Sequence, residues 1–122
     1  MHFIRAEARR LANTCIWSWQ GWRAAWASEK SLRQWTLANV LSAALAFALD
    51  LTPGERGVIL GLGLLVLAAE LFNTAIEEVV DVLFPGPDPR AKKAKDCGSA
   101  GVALAALAAG AAWAVILTGL LA

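Results

Sequence analysis

The chain has 122 residues, 58% of them hydrophobic, with 11 Lys and Arg against 10 Asp and Glu. A mean hydropathy of +0.55 and an uncharged run from Gly98 to Ala122 exclude an ordinary soluble domain of this size. The near-neutral balance, without any RNP, finger or helix-turn-helix pattern, points away from nucleic acid.

Residues 1–30 carry charges and tryptophans throughout rather than the compact apolar core of a signal peptide, so membrane insertion is expected to rest on internal spans. Residues 3–28 predict an amphipathic helix lying on the membrane. With Trp19 as reference, Cys15, Trp22 and Trp26 fall within about 60° of it, while Arg10, Asn13, Gln20, Ala24 and Ser28 lie opposite. Tryptophan with arginine on such a helix belongs to the headgroup region. Trp17 departs from the pattern, sitting about 20° from Arg10 on the polar face, where it could stack on a ligand or simply enrich the interface. Cys15 and Cys97 show neither CxxC nor zinc-ligand spacing and read as free thiols.

A first span is expected over 32–49, with Arg33 snorkelling at one end. Asp50-Leu-Thr-Pro-Gly54 makes a turn, and a second span follows over 55–83. Three prolines between Phe84 and Pro89 require a loop, extended over 84–97 by a short charged approach. The third span, 98–121, is long enough to cross about 30 Å of hydrocarbon with tilt. Gly57, Gly61, Gly101, Ala105 and Ala109 follow the small-xxx-small spacing that lets helices pack closely. Arg5, Arg9, Arg10, Arg23, Lys30 and Arg33 precede the first span, and Arg90, Lys92, Lys93 and Lys95 lie between the second and third. Only Arg56 falls on the other side, which predicts a cytoplasmic N-terminus and 84–97 segment and an outward C-terminus. The expected fold is all-α and integral to the membrane: one surface helix and three transmembrane helices in a single domain.

The second span carries the chemistry. Glu70, Glu77 and Asp81 fall within about 20° of one line, with Asn73 about 60° to one side and Glu78 about 80° away. A carboxylate at mid-membrane costs on the order of 3 kcal/mol on the insertion scale, so a stripe of them needs a partner. Mg²⁺ shared with substrate phosphates is one, and basic residues of neighbouring helices are another. The basic-residue split puts the stripe between mid-membrane and the cytoplasmic surface, near Glu29, Lys93 and Lys95. No phosphate-binding GxxxxGK[ST] loop, soluble-kinase set or nucleophile elbow is present. Phosphoryl transfer needs mainly metal, positive charge and a positioned base. The same parts would suit a proton- or cation-coupled transporter, and spacing leaves both open.

Three segments carry a resemblance: Glu70-Leu-Phe-Asn-Thr-Ala-Ile-Glu-Glu-Val-Val-Asp81, Ala94-Lys-Asp-Cys-Gly-Ser-Ala100, and Trp19-Gln-Gly-Trp-Arg-Ala-Ala-Trp26 followed by Glu29. The chain resembles the prokaryotic diacylglycerol kinases, small three-span membrane kinases, over nearly its whole length. The resemblance implies a homotrimer in the bacterial inner membrane, with active sites shared between subunits. It implies Glu70 as the base on the lipid hydroxyl, and Glu29 and Glu77 as ligands of the Mg²⁺ that accompanies ATP. It implies ATP contacts from Arg10, Trp17, Glu29, Asn73, Glu77, Asp81, Lys95 and Asp96. Contacts with the lipid are implied for Arg10, Ser18, Trp19, Arg23, Ala24, Ala25, Trp26, Asp50, Arg56, Glu70, Ser99 and Trp113. Trp17 replaces a Tyr common in the family, Trp35 stands where similar chains have Glu, and Gln20 replaces a basic residue. The 84–89 segment lacks the polar side chains that can meet adenine there. Undecaprenol kinases share this fold, so the resemblance also implies an alternative lipid substrate.

Overall fold

Prolines and their neighbours set where the long helices begin. The computed structural model describes residues 1–122 as four helices and no strand: α1 (His2–Ser28), α2 (Lys30–Ala48), α3 (Pro53–Leu83) and α4 (Pro89–Leu121). Helix α3 starts with Pro53 behind Thr52, whose Oγ1 accepts the Glu55 N–H at 3.2 Å while Glu55 Oε2 accepts the Thr52 N–H at 2.8 Å. That reciprocal cap satisfies two first-turn donors that would otherwise be orphaned. Helix α4 starts with Pro89 behind Asp88, whose Oδ1 accepts the Arg90 N–H at 2.8 Å. Proline at a first helical position has the right φ and gives up only a donor that had no intrahelical partner. The loop expected over 84–97 is accordingly only 84–88: the basic stretch from Arg90 to Lys95 is the first part of α4.

Short connections make α2, α3 and α4 antiparallel neighbours, with α3 packed along both others and α1 touching only the edges of α2 and α3. At the end of α3 near its N-terminus, Ala46, Leu51, Ile59 and Ile116 form a small apolar cluster against Leu49, Ala112 and Trp113. There Arg56 donates through Nε to Ala46 O at 2.9 Å and through a terminal nitrogen to Leu51 O at 3.3 Å, and lies over the Phe47 ring. Trp113 Nε1 donates to Ser42 Oγ at 2.8 Å, reaching from α4 to α2.

The close helix approaches are made by glycines other than those the spacing singled out. A Cβ on Gly57, Gly61 or Gly101 would meet nothing within 4 Å, so those positions do not bring helices of the chain together. Gly63 and Gly98 do: a Cβ would fall 2.2 Å from Asn39 Oδ1 at the first and 2.3 Å from Asn73 Oδ1 at the second. The spacing rule finds small residues, but the polar partner lies on another helix and is invisible to it.

Helices α3 and α4 are long and apolar enough to cross a membrane. Large apolar side chains along them, including Leu64, Phe72, Leu104 and Val115, are mostly exposed, and Glu70 is one of few buried residues. In hydrocarbon such exposure carries no penalty, since lipid tails are as apolar as leucine.

Candidate functional site

The acidic stripe is built on the C-terminal half of α3, and its members divide between two neighbours. Glu70 turns to α2. It is only 4% exposed, and its Oε1 accepts a hydrogen bond from Ser31 Oγ in the first turn of α2. Asn73 turns to α4, where its amide fills the space that the missing side chain of Gly98 leaves. Its Nδ2 donates to Glu77 Oε1 at 3.3 Å, one helical turn on, and its Oδ1 is enclosed without a hydrogen-bond partner. Asp81 forms an ion pair with Lys95 of α4 at the open end of the helix pair. A graded line results, from a buried carboxylate through half-buried Asn73 and Glu77 to an exposed Asp81.

Between the ends of α3 and α4 lies a cleft of about 580 Å³. Asp81, Lys92 and Lys95 line it with Phe84, Gly86, Pro87 and Asp88. Asp88 carries its charge firmly: the Arg90 guanidinium, then the Arg90 backbone N–H, hold its carboxyl below the ordinary value of 3.8. Lys95 thus faces the cleft while Asp81 fixes its ammonium group. Asp96 is not among the residues lining the cleft and pairs with Lys92, which is.

Glu29 occupies the joint between α1 and α2. It is the single residue between them outside helical conformation, with φ −101° and ψ 107°, and its Oε1 accepts from Ser28 Oγ at 2.9 Å. No group of three or more His, Cys, Asp and Glu side chains gathers within the chain, so Glu29 and Glu77 do not form a closed metal cage.

Most of the residues implied for lipid contact fall into two grooves and a distant cluster. Ser18, Ala24 and Ala25 of α1 face Leu71, Thr74 and Glu78 of α3 across a groove of about 620 Å³. Glu78, set aside on the helical wheel as a flanking residue, therefore lines that groove. Trp19, Arg23 and Trp26 line a second one of about 510 Å³ with Trp22 and Thr36, where the Trp22 and Trp26 rings stack 5.9 Å apart. Arg10 pairs with Glu7 at 2.9 Å on the exposed side of α1, and Trp17 is likewise exposed. Ser99 is exposed beside Gly98. Asp50, Arg56 and Trp113 belong to the other end of the bundle. Fourteen residues of α3 separate Arg56 from Glu70, about 21 Å along the axis. The structure does not bring these three to the carboxylates.

Sequence reasoning missed Ser31. Its signal is faint: a serine two residues past the joint, which meets Glu70 only once α2 and α3 are known to run antiparallel.

Comparison with known proteins shows the family. Residues 16–117 match the family model described as prokaryotic diacylglycerol kinase. A diacylglycerol kinase of Pseudomonas aeruginosa is 40% identical over 111 residues, covering 91% of this chain and 90% of that protein. The diacylglycerol kinase of Escherichia coli K12 is 35% identical over 108 residues, 88% of each chain. One of Haemophilus influenzae is also 35% identical, over 88% of this chain and 91% of its own. With the graded acidic line lying inside the matched region, the chain belongs to the prokaryotic diacylglycerol kinase family.

Proposed function

We propose that the chain transfers the γ-phosphoryl group of ATP to the primary hydroxyl of diacylglycerol, giving phosphatidic acid and ADP. The observation that carries this reading is Glu70: a carboxylate buried on a helix apolar enough to cross a membrane, hydrogen-bonded on one oxygen, and on the same helix as Asp81, which pairs with the cleft-lining Lys95. Burial of an ionisable group within a membrane-spanning helix is costly, and a residue kept there at that cost marks a functional site by default.

In this mechanism Glu70 accepts the hydroxyl proton as the lipid oxygen attacks phosphorus. The lipid O–H bond breaks and a carboxyl O–H forms; the new O–P bond forms as the bond from phosphorus to the bridging oxygen of ADP breaks. Lys95, held by Asp81, places positive charge against phosphate oxygens. Asn73 orients Glu77 through its amide.

The donor set fits Mg²⁺. Glu77 and Glu29 each offer carboxylate oxygens, and in each case only Oε1 accepts a protein hydrogen bond. Mg²⁺ takes one or two carboxylates and completes its shell with water and phosphate, so a closed protein cage is not required. When bound with ATP it neutralises charge on the phosphates.

Our reading has α2 as a third span, α1 on the cytoplasmic surface of the bacterial inner membrane, and the C-terminus in the periplasm. The distribution of basic residues supports this orientation. It also has the chain working as a homotrimer, in which neighbouring copies complete each site. The exposed faces of α3 and α4, and the pairing of Arg10 with Glu7 and of Asp96 with Lys92 rather than with members of the stripe, support a site that one chain does not close by itself.

The test is transfer of radiolabel from γ-labelled ATP to dioleoylglycerol and to undecaprenol in mixed micelles, with Mg²⁺ and with EDTA. Metal-dependent labelling of dioleoylglycerol is expected. Preference for undecaprenol would move the substrate to the sister lipid, and no labelling of either would sink the kinase reading. Glu70→Gln is expected to abolish transfer in an intact assembly, a loss of about 100-fold or more for a general base.

A further inference from the structure

Ser31 has no part in the mechanism above, yet its hydroxyl is the side-chain donor to the buried base. Elsewhere on these helices small hydroxyls turn back on their own backbone: Thr14, Ser18, Ser28, Thr36 and Thr74 each donate to the carbonyl four residues earlier. Ser31 does not. It stands in the first turn of α2, and the carbonyl four positions back belongs to Ala27 on the far side of the joint, in another helix. Its hydroxyl instead reaches across to Glu70 Oε1.

We infer that Ser31 is a positioning residue for the reaction, committing Oε1 of Glu70 so that Oε2 is left as the oxygen that receives the lipid proton. The inference rests on the reading of Glu70 as the base. A terminal carboxylate torsion is broad and roughly two-fold, so a buried carboxylate with no donor has no reason to hold one orientation. One hydrogen bond from a rigid helix supplies that reason. Oε2 has no protein partner, yet the sole fully enclosed side-chain atom without one is Asn73 Oδ1. Oε2 therefore remains reachable from outside the helix packing. The setting is also favourable in charge: the first turn of α2 presents the positive end of its helix dipole to the carboxylate. Helices α2 and α3 are also fastened independently of Ser31, where Asn39 Nδ2 donates to Gly63 O at 2.9 Å, so their packing does not hang on the serine.

Steady-state kinetics in mixed micelles with Mg-ATP and dioleoylglycerol tests this on Ser31→Ala, Ser31→Thr, Asn39→Ala and Glu70→Gln, with thermal stability of each purified assembly. Ser31→Ala is expected to lower kcat about tenfold or more while KM for both substrates stays within about twofold, since only positioning at the reacting oxygen is lost. Ser31→Thr, which keeps the hydroxyl, is expected to recover most of kcat. Asn39→Ala is expected to lower thermal stability with little change in kcat, marking what loosening the α2–α3 contact does alone. Should the alanine variant fail to assemble, Ser31→Cys, near in size and a weak donor, is expected to show the same selective loss of kcat. Wild-type kcat in Ser31→Ala would overturn the inference. So would a loss in Ser31→Ala that Asn39→Ala reproduces or that the threonine variant does not relieve. Loss of transfer in Glu70→Gln with none in Ser31→Ala would leave the base standing and remove Ser31; normal turnover in Glu70→Gln would remove the base itself.

Discussion

The Asn73 amide occupies the volume that any side chain at position 98 needs. Gly98→Ala places a methyl 2.3 Å from Asn73 Oδ1 and 3.3 Å from its Cγ, so the amide must leave or the helices must part. The first outcome breaks the bond that orients Glu77, and the second costs about 1–3 kcal/mol of overpacking strain. Either way Gly98→Ala is expected to lower both the thermal midpoint of the purified protein and its rate of phosphate transfer. Asn39 on Gly63 repeats the device, but it holds no member of the stripe. Gly63→Ala is therefore expected to lose stability with little change in turnover at saturating substrates, a contrast that separates packing from chemistry by melting and assay of the two variants. At this scale the sequence was legible where one helix carries the pattern. Glu70, Asn73, Glu77 and Asp81 lie on α3, and simple periodicity groups them. Ser31 and Gly98 take their meaning from a partner on another helix, and nothing in their own neighbourhood announces it.

Element boundaries follow from caps, and caps are local enough to read. Thr52 with Glu55 three residues on is a capping box in sequence and in structure. Thr52→Ala is expected to destabilise the start of α3 by about 1 kcal/mol, seen as a lower melting temperature in detergent. The start of α4 was misread because three prolines suggest a long irregular stretch, although the third, preceded by Asp88, is a helix opening. Asp88 also sets a pH dependence. Its carboxyl is held below 3.8 by Arg90, so its contribution to folding is fully present above that value and is lost as pH falls through the lower folded value. Melting curves of wild type and Asp88→Asn are expected to differ at neutral pH and to converge on strong acidification.

Across the whole molecule, charge and hydropathy placed the helices and their order, whereas the contacts between helices lie beyond the pattern of any one of them. With basic residues gathered before α2 and between α3 and α4, alkaline phosphatase fused after Ala122 is expected to be active, and inactive when fused within 84–88. The reverse result would invert the topology. Polar contacts follow the same gradient: those at the Glu70 end lie within reach of the cleft and grooves, and those at the Arg56 and Trp113 end fasten α2, α3 and α4 to one another.

The joint at Glu29 leaves no slack. A single residue outside helical conformation separates α1 from α2, and that residue is itself a candidate ligand. Adding one residue there would rotate the tryptophan face of α1 by about 100° relative to α2, or carry the carboxylate out of place. The body of α1 can vary in composition so long as its amphipathic phase is kept, but the length of this connection cannot change. A drifting lineage would therefore show substitutions along α1, with no insertion or deletion between Ser28 and Lys30.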